Sequence, residues 1–503
     1  MLYAYFAYKL SKEIDHKWIG IATSVALLTA WFPLEFFSQC RGYGLSLALF
    51  LGSIYHISQY ARHVRIKSLL VLYIFMVLAV SANLSLTNAY LVALGFSLLV
   101  IIANARSKVK ALLVWTFAGL MPFLVVVYYG LELKNRGLLY YGDGTGFVDL
   151  TVRTLAKYTF GIESYPLNIL ITAIGLIATL VLLIPKIRKI DLKANPGETA
   201  AFFLLANAIG AILLNFLMDV NFPEDRVGIY FIPLFILSFG YALSRLSALY
   251  SPVAILAFSL LAFPLATFTQ SSIQQTALWD SLAFPDEIYQ TIYTDSEGMN
   301  RTPIIAGYRL FQMSWAYHNF RNNAEMPPLA EEMEGKTLCD YFICYEDNCN
   351  NYESTHREIW KSGKGMRVLK RKKPLELRSA ARETQTAVYT GSTPYFTLFE
   401  TLDPSLIDST DAFKIEFDIS TDAKPPPIHA IVSARNANDE EIYYDFVPLH
   451  WLKDHLENDR LSFIRPANLP NETAHILVYI WNIEDVTFTL AQSKVEVLSA
   501  MRP

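Results

Sequence analysis

Nine apolar runs within the first 268 residues set the terms for what this chain can fold into. They cover 18–34, 43–60, 67–82, 88–103, 110–130, 166–185, 199–218, 227–244 and 252–268. Runs of this length match the thickness of a bilayer core, where backbone groups must bond within their own segment, so each reads as a helix. After residue 270 the composition turns polar. The chain therefore reads as a polytopic α-helical membrane domain over 1–270, a small α/β domain over 271–373, and a C-terminal β-sandwich over 374–503. A net charge of −4 gives no footprint for nucleic acid.

Loop charges give an orientation. The breaks at 9–17, 61–67, 104–110, 186–198 and 245 hold fourteen Lys/Arg, against six at 35–42, 83–87, 131–165 and 219–226. By the positive-inside rule the first set is cytoplasmic and the second faces out, with everything after 268. Residues 1–10 then run from outside to inside. They read as the tail of a further span, with a span and an outer loop expected before them; the alternative is a half-helix at the interface.

The outward loops concentrate the polar chemistry. Phe32-Pro-Leu-Glu-Phe-Phe-Ser-Gln-Cys-Arg-Gly-Tyr-Gly-Leu45 joins two spans and carries Glu35, Arg41 and Tyr43. Charges at membrane depth are costly and tend to be kept for a function, although an interfacial turn with a snorkelling Arg41 and a belt Tyr43 fits the same residues. Asn83–Asn88 forms a short polar turn. The loop 131–165 centres on Gly142-Asp-Gly-Thr-Gly146, a mobile loop or a phosphate cradle without a Walker pattern. Asp219-Val-Asn-Phe-Pro-Glu-Asp-Arg226 precedes a span with Tyr230 and Pro233; Arg226 suits an anionic headgroup or a salt bridge to Glu224 or Asp225.

Ser38-Gln-Cys-Arg41-Gly-Tyr43 resembles the Ser-x-x-Arg-x-Tyr segment of polyprenyl-phosphate-sugar-dependent glycosyltransferases of the C type (GT-C fold). These include bacterial relatives of protein mannosyltransferases and of lipid A aminoarabinose transferase. Pro223-Glu-Asp-Arg226-x-x-x-Tyr230-x-x-Pro233 is similar to a segment that opens a late span of that family, and Asn83–Asn88 to its short outer turn. The resemblance covers residues 1–270. It implies a hexosyl or pentosyl transferase of the bacterial inner membrane, passing a sugar from a polyprenyl-phosphate carrier in the membrane lipid to a glycan, lipid or protein acceptor. It also implies Glu35 as a second acid, Arg41 and Arg226 as phosphate or acceptor contacts, and Tyr43 and Tyr230 as pocket residues. The family's principal base sits on a first outer loop without a counterpart here, and Gln39 stands where relatives often have an acid.

Inverting transfer needs a carboxylate to take the acceptor's proton, and Arg, Lys or a divalent metal to stabilise the leaving phosphate. No His/Cys/Asp spacing specifies a metal, and a divalent metal stays open. Two other readings are a catalytically incomplete, membrane-anchored glycan-binding protein and a transporter. A transporter favours charges near the midplane rather than at the outer ends of spans.

In the polar half, alternating strand and helix patterns over 271–373 suggest a parallel sheet. His318 on the stretch Leu310–Arg321 reads as packing ahead of catalysis. An oxidising compartment favours a disulfide. Cys339 and Cys344 point to opposite faces of a strand, so Cys344–Cys349 is the expected pair, and Cys40 reads as a free membrane thiol. Short strands from 387 to 490 suggest a jelly-roll-like sandwich, similar in outline to carbohydrate-binding modules. Trp451, Tyr479 and Trp481 are its candidates for stacking on sugar, with core packing as the competing role.

Overall fold

A computed structural model describes residues 1–503 except 40, 105–107, 139–143, 190–192, 273–275, 277, 280–281, 324–325, 333–336, 364, 387, 404–406, 408–410, 454–455 and 501–503. Cys40 and the start of the glycine-rich loop, Gly142 and Asp143, thus lie outside the described residues. The chain divides into two units, Met1–Leu278 and Trp279–Pro503.

The first unit is helical: α1 Leu2–Ser11, α2 Lys17–Thr29, α3 Trp31–Ser38, α4 Gly42–His63, α5 Ile66–Ala82, α6 Thr87–Asn104, α7 Lys108–Val114, α8 Met121–Asn135, α9 Arg153–Phe160, α10 Tyr165–Lys189, α11 Pro196–Met218, α12 Phe231–Leu249 and α13 Ala262–Gln270. Every apolar run of the sequence is helical. By length and composition, six helical segments among the described residues suffice to cross a membrane, or seven if the bent pair α2–α3 is one span. This is a multi-pass membrane fold. Two expected spans fall short of that test: α5 is a 17-residue apolar helix, and α4, though 22 residues long, is not among the candidates. α4 is instead the buried centre, with Leu47, Phe50, Leu51, Ile54 and Ile57 at 0% exposure. It packs on α1, α3, α5, α6 and α11, and Ser46, Ser53 and Ser58 return their hydroxyls to carbonyls of their own helix.

The first expected span, 18–34, is broken. α2 and α3 meet at 44° across Ala30. Pro33 explains the break: without an N–H it cannot bond the carbonyl four residues back, so the helix restarts with Pro33 in its first turn, where no such bond is needed. The carbonyl left over is that of Thr29, and the Thr267 hydroxyl on α13 donates to it.

The second unit holds α14 Asp286–Ser296, β1 Ile305–Gly307, α15 Gln312–Arg321, β2 Ala330–Glu331, β3 Tyr341–Tyr345, β4 His356–Lys361 and β5 Met366–Arg371, then β6 Leu377–Thr386, β7 Tyr389–Gly391, β8 Tyr395–Thr401, β9 Asp411–Thr421, β10 Ile428–Arg435, β11 Glu441–Pro448, β12 Leu456–Pro466, β13 His475–Asn482 and β14 Phe488–Ala500. The first sheet runs β2-β1-β3-β5-β4. It is mixed, not parallel throughout: β2, β1 and β3 are parallel, while β5 pairs antiparallel with β3 and β4. Only residues 362–365 separate β4 from β5, too few for the crossover that a parallel pair needs. Cys344 and Cys349 are disulfide-bonded at the end of β3, and Cys339 is a buried free thiol. His318 is buried, with Nδ1 2.9 Å from Asp286 and Nε2 3.2 Å from the Phe284 carbonyl, tying α15 to α14.

The remaining strands form two antiparallel sheets, β11-β10-β13-β8 and β12-β9-β14-β6, with β7 beside β14. Apart from the short β7, every connection crosses between the sheets except the β10–β11 hairpin, which is the strand order of a jelly roll. Phe413, Ile415, Phe417 and Ile419 on β9 face Ala430, Val432, Ile476, Val478 and Ile480 in one core. Arg465 on β12, 1% exposed, donates to Asp445 on β11 at 3.0 Å and to the Pro328 carbonyl at 3.0 Å. That buried pair joins the sandwich to the segment leading into β2.

Candidate functional site

Among the described residues, the basic breaks 9–17, 61–67, 186–198 and 245 meet one another. At the basic end, Arg62 pairs with Glu13 at 2.7 Å. Glu198, 5% exposed, caps α11 with Asn195 and lies 3.3 Å from Lys186 and 3.6 Å from Arg245. At the other end, α3, the start of α4, α9, the 219–230 segment and the end of α13 converge. Phe32 stacks on Tyr158 at 5.1 Å, Phe36 packs on Tyr43 at 4.9 Å, and Gln270 donates to the Phe160 carbonyl.

Gly42 makes this convergence close. A Cβ there would lie 2.1 Å from the Ala82 carbonyl oxygen, so only glycine lets α4 start against the end of α5. One residue on, Tyr43 accepts a hydrogen bond from Arg226 Nε at 3.1 Å. These two sequence candidates, 183 positions apart, therefore meet. Arg41 is the exposed residue before α4. Glu35 is 4% exposed on α3, and its Oε1 accepts from Gln39 at 3.3 Å. Tyr230 is 2% exposed, its ring stacked on Phe231 at 4.6 Å and edge-on to Phe50 at 5.9 Å.

The sequence offered Asp225 only as a salt-bridge partner for Arg226. Among the described residues its carboxylate makes no ion pair within 4 Å; its backbone N–H donates to Thr154 Oγ1 at 3.0 Å, and its φ of 49° turns the chain at this point. Burial pushes its carboxyl up to about 6. The charge of Glu224 adds to that, while Arg226, Lys157 and Arg153 pull the other way. The signal in the sequence was the run of three charges Glu224-Asp225-Arg226 at a helix entry, which cannot all face water equally.

α9 has two faces. Arg153 and Lys157 reach Glu163 at 3.6 and 3.1 Å. Leu155, Ala156 and Thr159 instead line an open-sided cavity of about 340 Å³, lined also by Phe147, Gly175, Leu204, Ala208, Phe231, Phe235 and Phe263. Its wall is apolar except for threonines, and Thr151 Oγ1 and Thr159 Oγ1 are buried without a hydrogen-bond partner. A long apolar chain fits such a wall, and an unpaired buried hydroxyl costs about 1–3 kcal/mol that a polar atom of a guest would offset. Among the described residues no group of three or more His, Cys, Asp or Glu is placed to hold a metal ion.

No protein-family model matches the sequence, and no curated protein matches it. Among solved structures the chain aligns with the arabinosyltransferase EmbB from Mycobacterium smegmatis at 11% identity and a TM-score of 0.30, over 99% of this chain and 57% of that one. A likeness at this level fixes neither the fold nor the function of this chain.

Proposed function

We propose that the chain is a glycosyltransferase of the bacterial inner membrane that moves a sugar from a polyprenyl-phosphate carrier to a glycan, lipid or protein acceptor at the periplasmic face. The observation that carries this reading is a single helix, α9, with a 340 Å³ apolar cavity on one side and a charged cluster on the other. The carrier's isoprenoid tail takes the cavity, and its phosphate reaches Arg226 and Arg41. In transfer, the acceptor hydroxyl attacks the anomeric carbon, the carbon–oxygen bond to the phosphate breaks, and the lipid phosphate leaves with its charge held by the arginines. Asp225 takes the hydroxyl proton. A carboxylate whose pKa is raised toward the working pH suits that role better than a fully solvated one. Glu35, buried on α3 and accepting from Gln39, serves as the second acid on the acceptor side. A divalent metal is not needed in this scheme, because the arginines supply the positive charge.

The test uses full-length protein in lipid vesicles and a photoactivatable decaprenyl phosphate as probe. Labelling should fall at least tenfold in Ala208→Trp, which fills the cavity, and severalfold in Arg226→Ala. Labelling that ignores both substitutions would remove the carrier from this site. The second reading, a glycan-binding protein without transferase activity, is favoured by the jelly-roll unit. It predicts that Asp225→Asn changes nothing measurable.

A further inference from the structure

α15 and the turn that leads into it are apolar on two faces. Phe311 and Trp315 pack inward on α14 and the first sheet. Leu310, Met313, Tyr317 and Phe320 follow one another at spacings of three, four and three residues, which places them in a single stripe on the opposite face. They are 52, 66, 58 and 68% exposed, and none belongs to the core cluster beneath the helix. On an ordinary surface helix that arc is polar. The four side chains leave about 500 Å² of mostly apolar surface uncovered, which is near the upper end of the largest patch on a typical monomer.

We infer that the outer face of α15 docks on the surface of the membrane that the helical unit crosses, with the stripe at the headgroup boundary of a bilayer containing anionic lipids. The chain itself brings the two together. Ser251–Gln270 is a candidate span, and only residues 271–278 join it to the unit that carries α15. A segment of that length reaches about 29 Å at most, so the bilayer is at high local concentration for any apolar face of this unit. Charge is complementary as well. Residues 309–321 hold two arginines and no acid. Arg309 precedes the helix and Arg321 is its last residue, both exposed, so a cation stands at each end of the stripe. The acids nearby are engaged. Asp286 holds His318 at 2.9 Å on the buried side, and Glu331 lies 3.9 Å from Arg309, whose guanidinium also lies over the Phe446 ring. The side-chain types suit the depth: Leu310, Met313 and Phe320 enter the acyl boundary, while the Tyr317 hydroxyl and the arginines stay among headgroups. Size argues against a protein partner, because the stripe falls short of the roughly 800 Å² per side of a stable interface. At ten residues α15 offers a membrane little grip alone, and the covalent tether makes the contact persist.

The inference rests on the multi-pass membrane fold and not on sugar transfer. Full-length protein carrying Tyr317→benzoylphenylalanine is reconstituted in vesicles of phosphatidylethanolamine and phosphatidylglycerol, irradiated, and its adducts are read by mass spectrometry. Phospholipid adducts should exceed those of Asn438→benzoylphenylalanine, on the exposed β10–β11 turn, at least ~5-fold. Adding Met313→Glu and Phe320→Glu should lower them at least ~5-fold. Arg321→Gln, or vesicles of phosphatidylcholine alone, should lower them about fivefold. All these side chains are exposed, so the variants keep the fold, and an unchanged melting temperature checks that they do. Cross-linking to a second copy of the chain in place of lipid, adducts no more frequent than at position 438, or adducts that ignore the two glutamates would each overturn the docking. Equal yields in phosphatidylcholine would overturn it too, because they would leave the arginines without a role.

Discussion

The two ends of the helical unit are built from the same residue types and used differently. At the basic end a buried acid, Glu198, caps a helix and has a cation within 4 Å on two sides. At the opposite end a half-buried acid, Asp225, lies among Arg226, Lys157 and Arg153, yet no ion pair to it forms within 4 Å among the described residues. Arg226 is directed at Tyr43, and Lys157 and Arg153 at Glu163. Where charges only hold helices together, geometry cancels them. Where the cations are held by other partners, an acid stays poised near neutrality, which is the state a proton acceptor needs. Under the proposed function, the contrast separates a charge that holds helices together from one that takes a proton.

The sharpest way to break the comparison is to remove both acids in turn. Asp225→Asn keeps shape and removes the proton acceptor; sugar transfer from a polyprenyl-phosphate donor should fall at least ~100-fold, with decaprenyl-phosphate labelling unchanged and the melting temperature at neutral pH not lowered. Glu198→Ala should do the reverse. It deletes a helix cap and leaves two cations without their acid, and should cost about 2 kcal/mol, read as a lower apparent melting temperature in detergent. The figure sits at the lower end because Lys186 and Arg245 keep access to solvent. Loss of stability in Asp225→Asn would show that both ends are architectural.

A smaller effect tests the one hydrogen bond that joins distant sequence candidates. Tyr43→Phe leaves the ring on Phe36 and removes the acceptor for Arg226 Nε. Arg226 should then be held less well, raising the donor KM severalfold with kcat nearly unchanged. A pure fall in kcat would instead place Tyr43 at the reacting atoms.

Much of this architecture is legible in the sequence, because membrane depth imposes one solution on the backbone. Every apolar run is a helix for that reason. The misses have equally physical causes. α4 is helical over the expected run and long enough to span; Ser46, Ser53 and Ser58 lower its hydropathy because it sits among other helices. Pro33 announced a break that the continuous hydropathy of 18–34 masked. β6, Leu-Arg-Ser-Ala-Ala-Arg-Glu-Thr-Gln-Thr, and β4, His-Arg-Glu-Ile-Trp-Lys, are edge strands whose polar residues hide their pairing. Parallel pairing was inferred for the α/β sheet from alternation alone, whereas the short β4–β5 turn decides it. At the site, Arg226 and Tyr43 were legible as residue types, but their meeting was not, since 183 positions separate them. Asp225 was legible as one of three adjacent charges, but not its raised pKa, because burial, not spacing, sets that. On β13, Tyr479 and Trp481 alternate with Ile476, Val478 and Ile480 of the core, and which set faced inward was readable only once the core was known.

The finest test concerns why Asp225 titrates high. Its carboxyl is raised to about 6 by burial first and by Glu224 second. If transfer needs the ionised form, the rate should rise with pH through about 6. Glu224→Gln removes a like charge, which favours the carboxylate, so the limb should move to lower pH by a fraction of a unit. Stability offers a check that needs no substrate. With the folded pKa above the unfolded value near 3.9, the folded state binds more protons between about pH 4 and 6. Stability therefore declines as pH rises through that window and is level above it. Asp225→Asn should flatten that slope, and Glu224→Gln should narrow the window from its upper edge. A limb that stays in place in Glu224→Gln while the stability slope narrows would assign the kinetic group to another acid, with Glu35 next in line.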